Sequence, residues 1–136
     1  MATPTVGSQK TVLVIDDQPF FVTMQQNLLK QQGYRVLAAT NGTDGLARAK
    51  QFKPDLILLD VEMPGLDGFA VCEKLKQDEE LRQIPVIFLT ATQDIKLNEK
   101  AFKVGAEATV LKSTSGERLI NVVRLALDKG KPSTPA

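Results

Sequence analysis

The sequence predicts an α/β fold: five βα units forming a doubly wound parallel sheet with helices on both faces. Three observations predict it. Short apolar runs rich in β-branched residues alternate along the chain with segments of helical periodicity. Three of those runs, within residues 10–17, 55–60 and 85–90, are continuous rather than alternating in and out. Continuous runs belong to parallel strands covered on both faces, and the crossovers joining them are right-handed.

Each element has its own justification. "KTVLVIDD" (10–17) is β-branched and apolar, then abruptly acidic. Pro19 suits a first helical turn, and Phe21, Met24 and Leu28 at i, i+3, i+7 form one helix face, which Gly33 ends. "YRVLAA" (34–39) is the second strand, and "GTDGLARAKQF" (42–52) is a short helix carrying two glycines. "DLILLD" (55–60) is the third strand, followed by the helix "DGFAVCEKLKQ" (67–77). Pro85 opens "PVIFLT" (85–90), the fourth strand. "DIKLNEKAFKV" (94–104) is a helix with Leu97, Ala101 and Val104 on its apolar face. "ATVLK" (108–112) is the fifth strand, and Leu119, Val122, Val123 and Ala126 mark a final helix.

The chain has 136 residues, the usual size of one domain and enough to bury a core. We place that domain at residues 10–129, between flexible tails at 1–9 and 130–136, the second a tail or a linker. With 43% hydrophobic residues, 24% charged residues and a net charge of +1, neither nucleic acid nor an anionic membrane is a default partner. No apolar run approaches a membrane span, and "MATPTVGSQK" lacks the apolar stretch of a signal peptide. The lone Cys72 excludes an internal disulfide and fits a reducing compartment, so the expected location is cytoplasmic. There is no histidine. Any chemistry that needs imidazole must therefore come from a partner.

Ligands of open α/β sheets bind beyond the carboxyl ends of the strands. Here those ends carry Asp16 and Asp17, Asp60, Thr90 and Lys112. Taken singly, each has a plain reading as a turn former, a helix cap or a surface lysine. The fold, however, gathers them at one sheet edge. Two carboxylates about 4 Å apart repel by roughly 4 kcal/mol at an effective dielectric of 20. A bound cation, a shared proton or the lysine must offset this. A ligand set of oxygens alone selects a hard cation, Mg²⁺ or Mn²⁺. The chemistry suited to such a site is phosphoryl transfer to a carboxylate.

The pattern resembles the receiver domain of bacterial response regulators, of the single-domain, chemotaxis type. "VLVIDD", "LILLDVEMPGLDGF", "PVIFLTA", "VGAEA" and "VLK" carry the resemblance, in order, over about residues 10–129. It implies a flavodoxin-like fold with strand order 2-1-3-4-5. It also implies that Asp60 accepts a phosphoryl group from a phosphohistidine on a sensor histidine kinase or histidine phosphotransfer protein. Asp17 and Asp60 would bind Mg²⁺ (or Mn²⁺) directly, with the backbone carbonyl of Glu62, and Asp16 through a water. Thr90 would donate its hydroxyl to the phosphoryl group, Lys112 would pair with Asp60 or the phosphoryl oxygens, and a downstream protein would read the result. Enzymatic activity would be confined to phosphorylation and dephosphorylation of Asp60 itself.

Two positions depart from the family. Thr109 stands where an aromatic residue usually rotates inward, so output is expected not to depend on an aromatic rotamer. Ser113 stands where a proline usually follows the lysine in a cis peptide. A non-proline cis bond costs ~3 kcal/mol, which leaves this bond trans, or cis under strain. Two alternatives stay open. One is an interaction module that kept the fold and lost the switch. The other, an aspartate-nucleophile phosphatase, needs its acid-x-acid motif on the first strand and more chain for a cap. A flavin site is disfavoured because the first loop, "DDQPFF", is acidic. Glu62 and Thr92 sit where side chains flank the phosphoryl group. Glu62 reads either as a tuner of hydrolysis, repelling or misplacing water, or as a solvated loop acid. Cys72 reads as core, and Ile95 and Phe102 as partly buried, with a partner-binding patch as the alternative.

Overall fold

The computed structural model describes residues 9–129, so of the expected tails at 1–9 and 130–136 all but Gln9 lie outside the described residues. Ten elements alternate: β1 (Thr11–Ile15), α1 (Pro19–Gln31), β2 (Arg35–Ala39), α2 (Gly42–Phe52), β3 (Leu56–Asp60), α3 (Gly68–Gln77), β4 (Val86–Thr90), α4 (Ile95–Lys103), β5 (Ala108–Leu111) and α5 (Gly116–Lys129). The strands form one parallel sheet in the order β2-β1-β3-β4-β5, as expected. β3 and β4 are buried along their whole length and β1 nearly so, which explains their continuous apolar runs. The edge strands β2 and β5 are only partly covered.

Strand alternation splits the core into two layers. Leu13, Ile15, Ile57, Leu59 and Phe88 pack against Ala49, Phe69, Cys72, Leu75 and Ala101 of α2, α3 and α4. Val12, Val14, Leu56, Leu58, Ile87 and Leu89 pack against Val22 and Leu29 of α1 and against Leu119, Ile120, Val123 and Ala126 of α5. Cys72 is in the first layer, fully buried, as its reading required.

Two local results bear on the sequence reading. The glycine content of α2 has a packing cause. A Cβ on Gly45 would run into the Ile15 side chain, and one on Gly42 into Leu66 and Val71. The expectation for Ile95 and Phe102 is corrected: they are 75% and 82% exposed. α4 is short and turns Leu97, Ala101 and Val104 inward, whereas Phe102 sits about 140° around the helix from Leu97.

Candidate functional site

The sheet delivers the expected residues to its carboxyl edge by extending its ladders past the strand ends. Asp16 follows β1, with its N–H donating to Ala39 O at 3.1 Å. Asp60 closes β3 opposite Leu89, and the next N–H, of Val61, donates to Leu89 O at 3.0 Å. Thr90 closes β4, and Lys112 N–H donates to Thr90 O at 2.8 Å, fixing the lysine beside the acids. On the other side α3 presses against β3. A Cβ on Gly68 would overlap the Asp60 carbonyl oxygen, and Gly68 N–H donates to Val61 O at 3.0 Å. Only glycine fits between the helix start and the acid-bearing strand.

Asp16, Asp17 and Asp60 bring carboxylate oxygens within 4.8 Å of one another. Asp16 and Asp60 are each 1% exposed, while Asp17 is the most open of the three. Asp16 Oδ1 accepts Gln18 N–H at 2.9 Å, and Asp60 Oδ1 accepts Glu62 N–H at 3.2 Å. The two Oδ2 atoms are buried without a hydrogen-bond donor. Lys112 Nζ lies 3.0 Å from Asp16 Oδ2 and 3.4 Å from Asp60 Oδ2, close enough for charge contact but not aligned as a hydrogen bond to either. Its aligned bond goes to Gln18 Oε1 at 3.0 Å, and its ammonium stands 4.5 Å from the Phe21 ring centroid.

Burial first, and the neighbouring Asp16 charge second, push the Asp60 carboxyl up to about 7, outweighing Lys112 and the Glu62 N–H, which pull it down. One ammonium thus leaves two buried carboxylates short of positive charge. Their free oxygens, with Asp17 beside them, fit a hard divalent cation.

Thr90 is buried, and its hydroxyl is turned to its own loop. Oγ1 donates to Thr92 O at 3.1 Å and accepts Thr92 N–H at 3.2 Å. Thr92 therefore engages Thr90 through its backbone. The exposed Glu62 carboxylate accepts the Ala91 N–H at 3.4 Å, bridging the loops after β3 and β4. The peptide bond between Lys112 and Ser113 is trans, as are all among the described residues. Sequence reasoning missed Gln18, Phe21 and Ala91 as members of the site. Gln18 and Phe21 lie in "DDQPFF", so proximity to the acids was the available signal. A backbone N–H such as that of Ala91 leaves none.

The profile of the response regulator receiver domain family matches residues 12–124. The DNA-binding dual master transcriptional regulator RpaA of Synechocystis sp. is 39% identical over 85% of this chain, but the match spans only 48% of that protein. The chain thus covers about half the length of that relative. Protein PilH of Pseudomonas aeruginosa is 35% identical over 85% of this chain and 96% of its own. The chemotaxis protein CheY4 of Vibrio cholerae superposes with a TM-score of 0.84 at 26% identity, over 88% of this chain and 99% of that one. Among the described residues, no helix is long and apolar enough to cross a membrane.

Proposed function

The chain belongs to the response regulator receiver domain family of two-component signalling, and on that premise we propose that it is a phosphoacceptor switch with Asp60 as the acceptor. One observation carries the reading: two buried carboxylates, each with an undonated oxygen, share a single ammonium at the sheet edge. Such an arrangement is unfavourable in the fully ionised state and is relieved when the site takes up a cation, which in turn can receive an anion on Asp60.

Asp60 attacks the phosphorus of a phosphohistidine carried by a sensor histidine kinase or a histidine phosphotransfer protein. A P–O bond forms, the P–N bond breaks, and its electron pair stays on the donor imidazole. The chain supplies no imidazole of its own. Asp17 and Asp60 would hold Mg²⁺ (or Mn²⁺), with Asp16 through a water and Glu62 through its backbone carbonyl, and the ion would neutralise the carboxylates and the equatorial oxygens. Lys112, already in charge contact with Asp60 Oδ2, is placed to pair with the incoming oxygens. The Thr90 hydroxyl leaves Thr92 O and donates to the phosphoryl group, which moves the loop after β4. A downstream protein reads that movement. Thr109, on β5, means that the readout does not run through an aromatic rotamer. Like its family, the protein is a switch rather than an enzyme with an external substrate.

Thr109 and Ser113 also favour a second reading, an interaction module that kept the fold and lost the switch. Incubation with acetyl phosphate and Mg²⁺, followed by intact mass, separates the two. A phosphate adduct that is absent in Asp60→Asn supports the switch, and no adduct on the wild type supports the module.

A further inference from the structure

The donors around Asp60 are not waiting for an anion. Each already has an internal partner. The Thr90 hydroxyl is closed on Thr92, and Lys112 Nζ is shared among Asp16, Asp60 and Gln18. The Ala91 N–H lies past the Asp60–Leu89 pair that ends the β3–β4 register, and the next carbonyl on that side, Val61 O, already accepts the Gly68 N–H, so the sheet gives it no acceptor. It is held instead by an anion, the Glu62 carboxylate. Glu62 reaches it because its own N–H is anchored on Asp60 Oδ1, which fixes the start of the side chain two residues past the acceptor.

Resting on the phosphoacceptor reading above, we infer that the Glu62 side chain is a built-in competitor for the phosphoryl group: its carboxylate occupies the Ala91 N–H beside Asp60 and must leave before an anion on Asp60 can use that donor. Two physical effects act together. A hydrogen-bond donor near the acceptor is already taken, and a negative charge stands where another is arriving. The bond is long and exposed, so it yields to a strong anion, whereas the charge stays close by after the bond is lost. Glu62 is therefore a positioning residue that sets how readily the site loads, not a group that makes or breaks the phosphorus bond.

Three side chains at position 62 separate the two effects. Glutamine keeps an oxygen for the Ala91 N–H and removes the charge. Alanine removes both. The site is probed with fluoroberyllate in excess Mg²⁺, a phosphoryl mimic that measures the seat without turnover, and with acetyl phosphate for loading rate. Glu62→Ala is expected to bind fluoroberyllate at least about tenfold tighter than wild type, with Glu62→Gln between them, and to gain the acetyl phosphate adduct faster in the same order. In the metal-free protein, the Ala91 amide resonance is expected to move upfield in Glu62→Ala, with little change elsewhere in the sheet.

Equal affinity in wild type and Glu62→Ala, within about twofold, overturns the inference while leaving the phosphoacceptor reading intact. So does an Ala91 resonance that ignores the substitution. If neither protein takes fluoroberyllate or an adduct, the phosphoacceptor reading falls and this inference with it. If Glu62→Ala loads and the wild type does not, the competition is stronger than expected and the inference stands.

Discussion

Removing the charge of Asp60 is expected to stabilise the metal-free protein. The pairwise charges nearly cancel. Asp16 and Asp60 oxygens no more than 4.8 Å apart repel by at least about 3.5 kcal/mol at an effective dielectric of 20, while Lys112 at 3.4 Å returns about 5 kcal/mol. Burial therefore decides, because a carboxylate 1% exposed loses several kcal/mol of hydration. The rise of the Asp60 carboxyl from 3.8 to about 7 corresponds to about 4 kcal/mol against the ionised form. The sign follows from linkage. A folded-state value above the unfolded one favours the protonated fold, so stability is intact below about pH 4 and is lost as pH rises toward 7. Even half of that loss shifts Tm by on the order of 5–10 °C in a domain of this size.

The assay is thermal unfolding of chelator-treated wild type and Asp60→Asn at pH 8 and pH 5, each repeated with Mg²⁺. At pH 8 without metal, Asp60→Asn is expected to melt several degrees higher. The gap shrinks at pH 5, where the wild-type carboxyl is largely protonated in the fold. Mg²⁺ closes the gap at pH 8 by raising the wild type. An Asp60→Asn protein no more stable than wild type at pH 8 without metal, or a gap that widens toward acid, would refute the reasoning.

Gly68→Ala forces α3 off the Asp60 carbonyl and is expected to lower stability by at least about 2 kcal/mol in urea unfolding; a neutral result would mean that α3 can move freely there. Cys72, fully buried with its thiol pushed up to about 11 mainly by burial, is expected to resist alkylation at pH 8 until urea unfolds the protein. Ile95→Ala and Phe102→Ala are each expected to stay within about 0.5 kcal/mol of wild type, against about 3–5 kcal/mol lost in Phe88→Ala. A loss of core size at Phe102 would show that α4 packs differently in solution.

The sheet was legible because its central strands are buried on both faces, which writes burial directly into sequence as runs such as Leu56 to Leu59. The acids and Lys112 were legible for a related reason: a polar residue ending such a run has nowhere to go but the sheet edge. Helix faces were harder to read. Phe102 is as apolar as any core residue, and only the docking angle of α4 decides that it faces solvent. The glycines of α2 weaken a helix locally, yet they answer to Ile15 and Leu66, far away in sequence. The backbone partners of two site side chains, Ala91 N–H for Glu62 and Thr92 O for Thr90, leave no mark at residues 91 and 92.

The resting contacts also limit how the proposed switch can work. Moving an equilibrium from 1:99 to 99:1 takes about 5.5 kcal/mol. Turning Thr90 gives up two neutral hydrogen bonds to Thr92, worth about 1 kcal/mol each, for one charge-assisted bond worth about 1.5–3 kcal/mol. The net gain is at most about 1 kcal/mol, roughly a fivefold shift in population. Thr90 alone cannot throw the switch. On the proposed reading the remainder comes from other donors at this sheet edge, Lys112 released from balancing two acids and the Ala91 N–H released from Glu62. Because Glu62 withholds one of these, replacing it should enlarge the phosphorylation-dependent shift of the loop after β4 as well as the loading rate. Phosphorylated wild type and Glu62→Ala with equal Thr92 and Gln93 amide displacements would show that Ala91 adds nothing to the switch.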